Sequence, residues 1–166
     1  MENQMRILGI DPGLQVCGYA CLDTDGSDEQ LSEAGVFRTS LESPIEQRLN
    51  QIASDTLSLL ERFKPDIVAV EELYSHYAHP KTAILMGHAR GVILHKCAEA
   101  SVEVRSFSAT RIKKSVTGNG RASKQQVQRT IQTLLCLSEL PEPNDVADAI
   151  AAALCCVNSL KNGAMV

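Results

Sequence analysis

Arg6-Ile7-Leu8-Gly9-Ile10-Asp11-Pro12-Gly13 and Ile67-Val68-Ala69-Val70-Glu71 decide the architecture of this chain. Each is an apolar run of strand length that ends on a carboxylate, and the first is closed by a Pro-Gly turn. The second is apolar at every position before its acid, the pattern of a central strand buried on both faces. Outward from Asp11, residues 16–22 read as another strand. A polar loop, Asp23-Thr24-Asp25-Gly26-Ser27-Asp28, leads into a third at about 31–38. Three strands with short links make an antiparallel meander.

The period then changes. Ile45, Leu49, Ile52, Ala53, Leu57, Leu60 and Phe63 recur at helical spacing, and Pro65 ends that helix. After the 67–71 strand, a helix is expected over 80–98, with Pro80 in its first turn. A fifth strand follows at 102–107. Helical segments come next at 109–115, at 123–135 with Ser123 as cap, and at 144–158, leaving 159–166 as a frayed tail. The expected class is α/β, in one domain spanning 1–166. Its mixed central sheet joins a three-strand antiparallel meander to parallel strands, with helices on both faces.

Composition narrows the function classes. The 166 residues are 44% hydrophobic and 22% charged, enough for a core and unlike a disordered acidic chain. Mean hydropathy is −0.07, and no apolar stretch approaches the ~18 to 20 residues of a spanning helix. Met1-Glu2-Asn3-Gln4 lacks the basic and apolar regions of a secretory signal, so a cytoplasmic location is expected. Of six cysteines, Cys17 and Cys21 lie roughly 13 Å apart along a strand. Cys155 and Cys156 are adjacent on a helix, and Cys97 and Cys136 are isolated. Without a CxxC pair, these read as reduced structural thiols. His76 and His79, with no companion pair, read as surface residues.

The net charge of −4 hides an asymmetry. Between Val104 and Ser138 there is no Asp or Glu, while Arg105, Arg111, Lys113, Lys114, Arg121, Lys124 and Arg129 carry +7, leaving −11 on the rest. A solvated face mixes signs, so this stretch reads as an anion-binding surface suited to a phosphodiester backbone.

The acids make the complementary pattern. Asp11 and Glu71 end apolar strands, and Asp145 and Asp148 share one face of an otherwise apolar helix. Each has a local use as turn former, strand end or helix-dipole partner. Together in a half-buried place, four acids repel unless protonated or bound to cations. A set of carboxylates without soft ligands suits Mg²⁺ or Mn²⁺, and paired ions ~3.5 to 4 Å apart catalyse in-line phosphodiester hydrolysis.

Gly9-Ile10-Asp11-Pro12-Gly13, Ala69-Val70-Glu71, Gly87-His88-Ala89-Arg90-Gly91-Val92 and Asp145-Val146-Ala147-Asp148-Ala149 resemble, in order and spacing, the bacterial RuvC family of Holliday-junction resolvases. The resemblance runs from Arg6 to about Asn158. It implies an RNase H-like fold and a homodimer that cuts four-way junction DNA in recombination and repair. Paired symmetric nicks in strands of like polarity are implied, with two Mg²⁺ ions per site and Mn²⁺ as substitute. It also implies work with the RuvA-RuvB branch-migration machinery. Asp11, Glu71, Asp145 and Asp148 match the family's catalytic, metal-binding acids, and Lys113 and Lys124 match basic residues near the DNA strand. Tyr74 falls where the family carries an aromatic that stacks on bases. The basic stretch adds Arg111, Lys114 and Arg121 as DNA contacts. Three departures stand out: a tyrosine rather than a phenylalanine at Tyr74, Glu72 beside the catalytic glutamate, expected to face away from it, and a C-terminal end without a basic tail.

Two other readings share these residues. One is a YqgF-type RNase H-like nuclease acting on pre-ribosomal RNA, which lacks the helix bearing Ala-Arg-Gly. The other is a non-catalytic junction-binding module, which would have lost one of the four acids.

Overall fold

Alternation along two neighbouring strands sorts the core into two halves. In the computed structural model, which describes residues 4–73 and 79–163, β1 (Met5–Asp11), β2 (Val16–Thr24) and β3 (Glu29–Arg38) form the meander. They are followed by α1 (Ile45–Phe63), β4 (Ile67–Glu71), α2 (Pro80–Glu99) and β5 (Glu103–Phe107). The helices α3 (Ala109–Thr117), α4 (Lys124–Leu134) and α5 (Asn144–Gly163) complete the chain. The sheet order is β3-β2-β1-β4-β5. β1 pairs antiparallel with β2, and β2 with β3, whereas β1–β4 and β4–β5 are parallel.

Leu8, Ile10, Val68 and Val70 enter one core with Ile52, Leu59 and Leu60 of α1 and Ala89 and Ile93 of α2. Ile7, Ile67 and Ala69 enter the other with Ile112, Val127, Ile131 and Ile150 from α3, α4 and α5. The strand period of two therefore sends the odd-numbered residues of β1 and β4 toward α5. Asp11 and Glu71 continue that odd series, so both carboxylates belong to the α5 side of the sheet.

Helix α5 lies unusually close to the strands because Gly9 and Gly18 leave room for its backbone. A Cβ on Gly9 would stand 2.0 Å from the carbonyl oxygen of Ala149, and one on Gly18 would stand 1.9 Å from that of Asp145. Alanines at 147, 149, 151, 152 and 153 keep the helix surface equally thin, and all are buried.

The two helices of the basic stretch present one apolar face each, Ile112 and Val116 on α3 and Val127 and Ile131 on α4. Ser108 caps α3, accepting from the Arg111 N–H, and Gly118 ends it in the left-handed region at φ 78°. Ser123 caps α4 as expected, in a reciprocal box with Gln126.

Strands β2 and β3 and helix α3 run about two residues beyond expectation, and the largest difference is at the last helix. Helix α5 does not fray after Asn158 but continues to Gly163. Leu160 packs on the α5-side core, and Lys161 pairs with Glu29 and donates to the Ser27 carbonyl at 3.3 Å. These tertiary contacts hold a last turn that local sequence leaves unsupported. The six cysteines form no disulfide among the described residues; five are buried and Cys136 is exposed. No described helix is long and apolar enough to cross a membrane.

Candidate active site

The parallel ladder of β1 and β4 pairs Gly9 with Ala69 and Ile10 with Val70. Asp11 and Glu71 are the next residues on strands that run side by side at ~4.8 Å. They reach the carboxyl end of the sheet together, on the face that α5 covers. The antiparallel neighbour of Asp11 is Gly18, and the carbonyl of Asp145 rests on Gly18. The first turn of α5 is thus seated beside Asp11, and Asp148 follows one turn on, on the same helix face.

One cleft of about 300 Å³ gathers the result: Asp11, Glu71, Asp145 and Asp148 line it, with Lys113 of α3 and Lys124 of α4. All four acids are half-buried. Among the described residues, none accepts a hydrogen bond through its side chain or forms an ion pair; the one side-chain bond to any of the four goes from Arg90 to the backbone carbonyl of Glu71. Burial, then the charges of Asp148, Glu71 and Asp145, push the Asp11 carboxyl up to about 8, against an opposing pull from Lys124. Burial first and Asp148 second raise Glu71, with Lys113 and Lys124 opposing. Burial likewise raises Asp148, where Lys124 opposes, Asp145 adds and Lys113 opposes. The site holds more negative charge than its two lysines balance.

That imbalance, with a donor set made only of carboxylate oxygens, fits hard divalent cations that take oxygen ligands. Among the described residues, no three histidine, cysteine or acidic groups are drawn together tightly enough to cage an ion. The acids instead line the cleft within Coulomb range of one another, as mutually repelling groups should.

The structure divides the remaining sequence candidates. Lys113 and Lys124 stand in the acid cleft. Arg111 and Lys114 line a separate surface groove with Ser115, Asn158 and Lys161, and the Arg111 guanidinium lies 5.0 Å from the centre of the Phe107 ring. Arg121 is exposed and lines neither. Glu72 is exposed at the cleft rim and is not among the charges acting on Glu71. His79 is exposed, as expected. Tyr74 and His76 lie outside the described residues.

Sequence reasoning assigned no role to Arg90, whose guanidinium reaches the backbone of Glu71 at 3.1 Å. An arginine beside a buried alanine in the apolar stretch of α2 was the available signal. Nor did it single out Gly9 and Gly18, although a glycine inside a strand often marks close backbone approach.

The family profile described as Crossover junction endodeoxyribonuclease RuvC matches residues 7–156. The proteins of that name from Rhodopirellula baltica and Heliobacterium modesticaldum are 47% and 42% identical to this chain. The first match covers 90% of this chain and 84% of its relative, the second 96% and 98%. The structure of T. thermophilus RuvC in complex with Holliday junction substrate is similar at a TM-score of 0.90 and 33% identity, over 96% of each chain. The match spans both acid-bearing strands, the two lysine-bearing helices and the start of α5, and the chain belongs to the RuvC family of crossover junction endodeoxyribonucleases.

Proposed function

We propose that this chain resolves four-way DNA junctions by hydrolysing phosphodiester bonds in the cleft between β1, β4 and α5. One observation carries the assignment of the site: a single cleft gathers four carboxylates whose side chains have no partner among the described residues, beside two lysines. The likeness to a RuvC solved with a Holliday junction supplies the substrate class. The YqgF-type and non-catalytic readings lose their support, the first to the family match and the second to the complete set of acids.

Asp11, Glu71, Asp145 and Asp148 would hold the divalent ions, Mg²⁺ with Mn²⁺ as substitute. When bound, such ions supply a water of lowered pKa and stabilise the leaving oxygen. Lys113 and Lys124 draw a phosphate toward acids that would otherwise repel it. Leu73, Met86, Ile112 and Val127 give the cleft apolar walls that limit water. Paired nicks need two sites, and the same reading makes the protein a homodimer built on α2. That helix buries only Ala89, Ile93 and Cys97 among the described residues, while Ile84 is 60% exposed and Gly91 has no described neighbour within 4 Å of its Cβ position.

A labelled synthetic junction incubated with Mg²⁺, Mn²⁺ or chelator, beside linear duplex and structured RNA, tests the reading. Symmetric nicks are expected in the junction alone and only with metal. Asp11→Asn and Asp148→Asn should abolish cleavage while junction binding and circular dichroism persist. Near-normal nicking by either variant removes that residue from the site.

A further inference from the structure

Arg90 reaches from α2 to the strand ends that carry the site. Its Nε donates to the carbonyl oxygen of Glu71 at 3.1 Å, and its Nη2 donates to Ser106 Oγ at 2.8 Å. These acceptors lie on the last residue of β4 and the next-to-last of β5, where Val70 pairs with Ser106 and Glu71 with Phe107. On the β1 side, the ladder ends at Ile10 and Val70. Glu71 therefore sits at the open end of its strand, where the next residue is held by the Glu72 N–H on the Phe107 carbonyl at 2.9 Å.

We propose that Arg90 is a positioning residue whose planar fork pins the Glu71 peptide to Ser106, aiming the Glu71 carboxylate into the cleft and tying that aim to the seating of α2. The inference rests on the reading of Glu71 as a metal-holding acid. The action runs through the backbone. The charges that act on the Glu71 carboxyl are those of Asp148, Lys113 and Lys124, and Arg90 is not among them. The two bonds use N–H groups fixed in one plane, a geometry that a lysine ammonium on a flexible stem does not reproduce. Ala89 beside it is fully buried and Gly91 is open to solvent, so Arg90 stands at the boundary between the core side of α2 and its free face.

The test compares R90A, R90K and E71Q with the wild type. Single-turnover junction cleavage is measured across a Mg²⁺ titration, junction binding in chelator, and the rise in melting temperature on adding Mn²⁺ without DNA. Removing a group that orients a metal ligand costs roughly tenfold to a hundredfold in metal affinity or activity. R90A should bind junctions normally, need several-fold more Mg²⁺ and show a smaller Mn²⁺-induced shift. R90K should fall between R90A and wild type in all three metal readouts. If R90A does not fold, R90K alone decides by its Mg²⁺ midpoint. Wild-type metal dependence in the folded Arg90 variants, with E71Q inactive, overturns the role of Arg90 and leaves the site standing. A slow R90A with an unchanged Mg²⁺ midpoint and Mn²⁺ shift reduces Arg90 to ordinary packing and also overturns it. An active E71Q with a normal Mn²⁺ shift overturns instead the reading of Glu71 on which the inference rests.

Discussion

The carbonyl oxygen of Asp145 stands 1.9 Å from the point where a side chain on Gly18 would begin. Gly18 is also the ladder partner of Asp11. One backbone contact therefore spaces the first turn of α5 from the end of β1, and with it the acids of the helix from the acid of the strand. The metal-holding geometry proposed for the cleft depends on a residue that has no side chain.

Gly18→Ala should push α5 off the sheet at its acid-bearing end. Backbone cannot yield as a flexible side chain does, and overpacking of this kind costs roughly 1 to 3 kcal/mol. Chemical denaturation should show that loss. Junction cleavage should fall more than junction binding, because spacing of the acids is disturbed while the lysines remain. Wild-type stability together with a wild-type rate would show that the seat of α5 is not set at Gly18.

Much of this arrangement was legible before the structure. Apolar runs closed by Asp11 and Glu71 marked two central strands, and the i, i+3 spacing of Asp145 and Asp148 put those two acids on one face of α5. That Asp11 and Glu71 share a face of the sheet came only with the parallel β1–β4 ladder and the side on which Ile7 and Ile67 pack. What pattern alone could not deliver were the contacts between elements. The last turn of α5 is held by Lys161 on Glu29, a pairing far apart in sequence. The basic stretch read as one surface, yet helix α3 splits it, because Lys113 faces the acids while Arg111 and Lys114 turn to another groove. Adjacent positions on a helix point in different directions, and only the docking of α3 says which direction meets the cleft.

Proton and metal should compete for Asp11. Its carboxyl moves from an ordinary 3.8 to about 8 in the folded chain. Between those values the native state holds a proton that the unfolded state has released, so stability of the metal-free protein falls as pH rises across that window. Thermal melts in chelator should therefore show a lower midpoint near about pH 8 than near about pH 5. Asp11→Asn should flatten the trend, and divalent ions should restore the midpoint at the alkaline end by binding the native state. At limiting Mg²⁺, cleavage should rise with pH up to about 8. A pH-independent melting point without metal would show that burial and the neighbouring acids do not raise the Asp11 carboxyl.

Lys113 and Lys124 should differ from Arg111 and Lys114 in what they change. The first two lower the proton affinity of Glu71 and Asp148, and Lys124 does so for Asp11 as well. Lys124→Ala should therefore shift the pH profile of cleavage to higher pH, in addition to weakening junction binding and reducing its salt slope by about 1. Arg111→Ala or Lys114→Ala should affect binding and its salt dependence alone, since neither lines the acid cleft. An unmoved pH profile in Lys124→Ala would separate that lysine from the acids. An unchanged salt slope in Arg111→Ala and Lys114→Ala would leave the second groove without a role in DNA binding.

Gly91→Ala puts the proposed dimer to a test with opposite signs. In a lone chain, position 91 is an exposed site inside α2 with none of the described residues within 4 Å of the added methyl. Alanine there improves helix propensity by about 0.8 to 1 kcal/mol and should raise the melting temperature. If a second copy packs its α2 on this face, the glycine lets two helix backbones approach, and the distance between packed helices depends on the side chains at their contact. The methyl would then hold the copies apart. Sedimentation should show weaker self-association, and junction cleavage should shift from paired nicks toward single nicks in one strand. The expected outcome is this loss of pairing, at a rate per site close to that of the wild type. A variant that melts higher, sediments as the wild type does and still nicks in pairs would remove Gly91 from the interface. A wild-type protein that sediments only as monomer at micromolar concentration would remove the α2 dimer altogether.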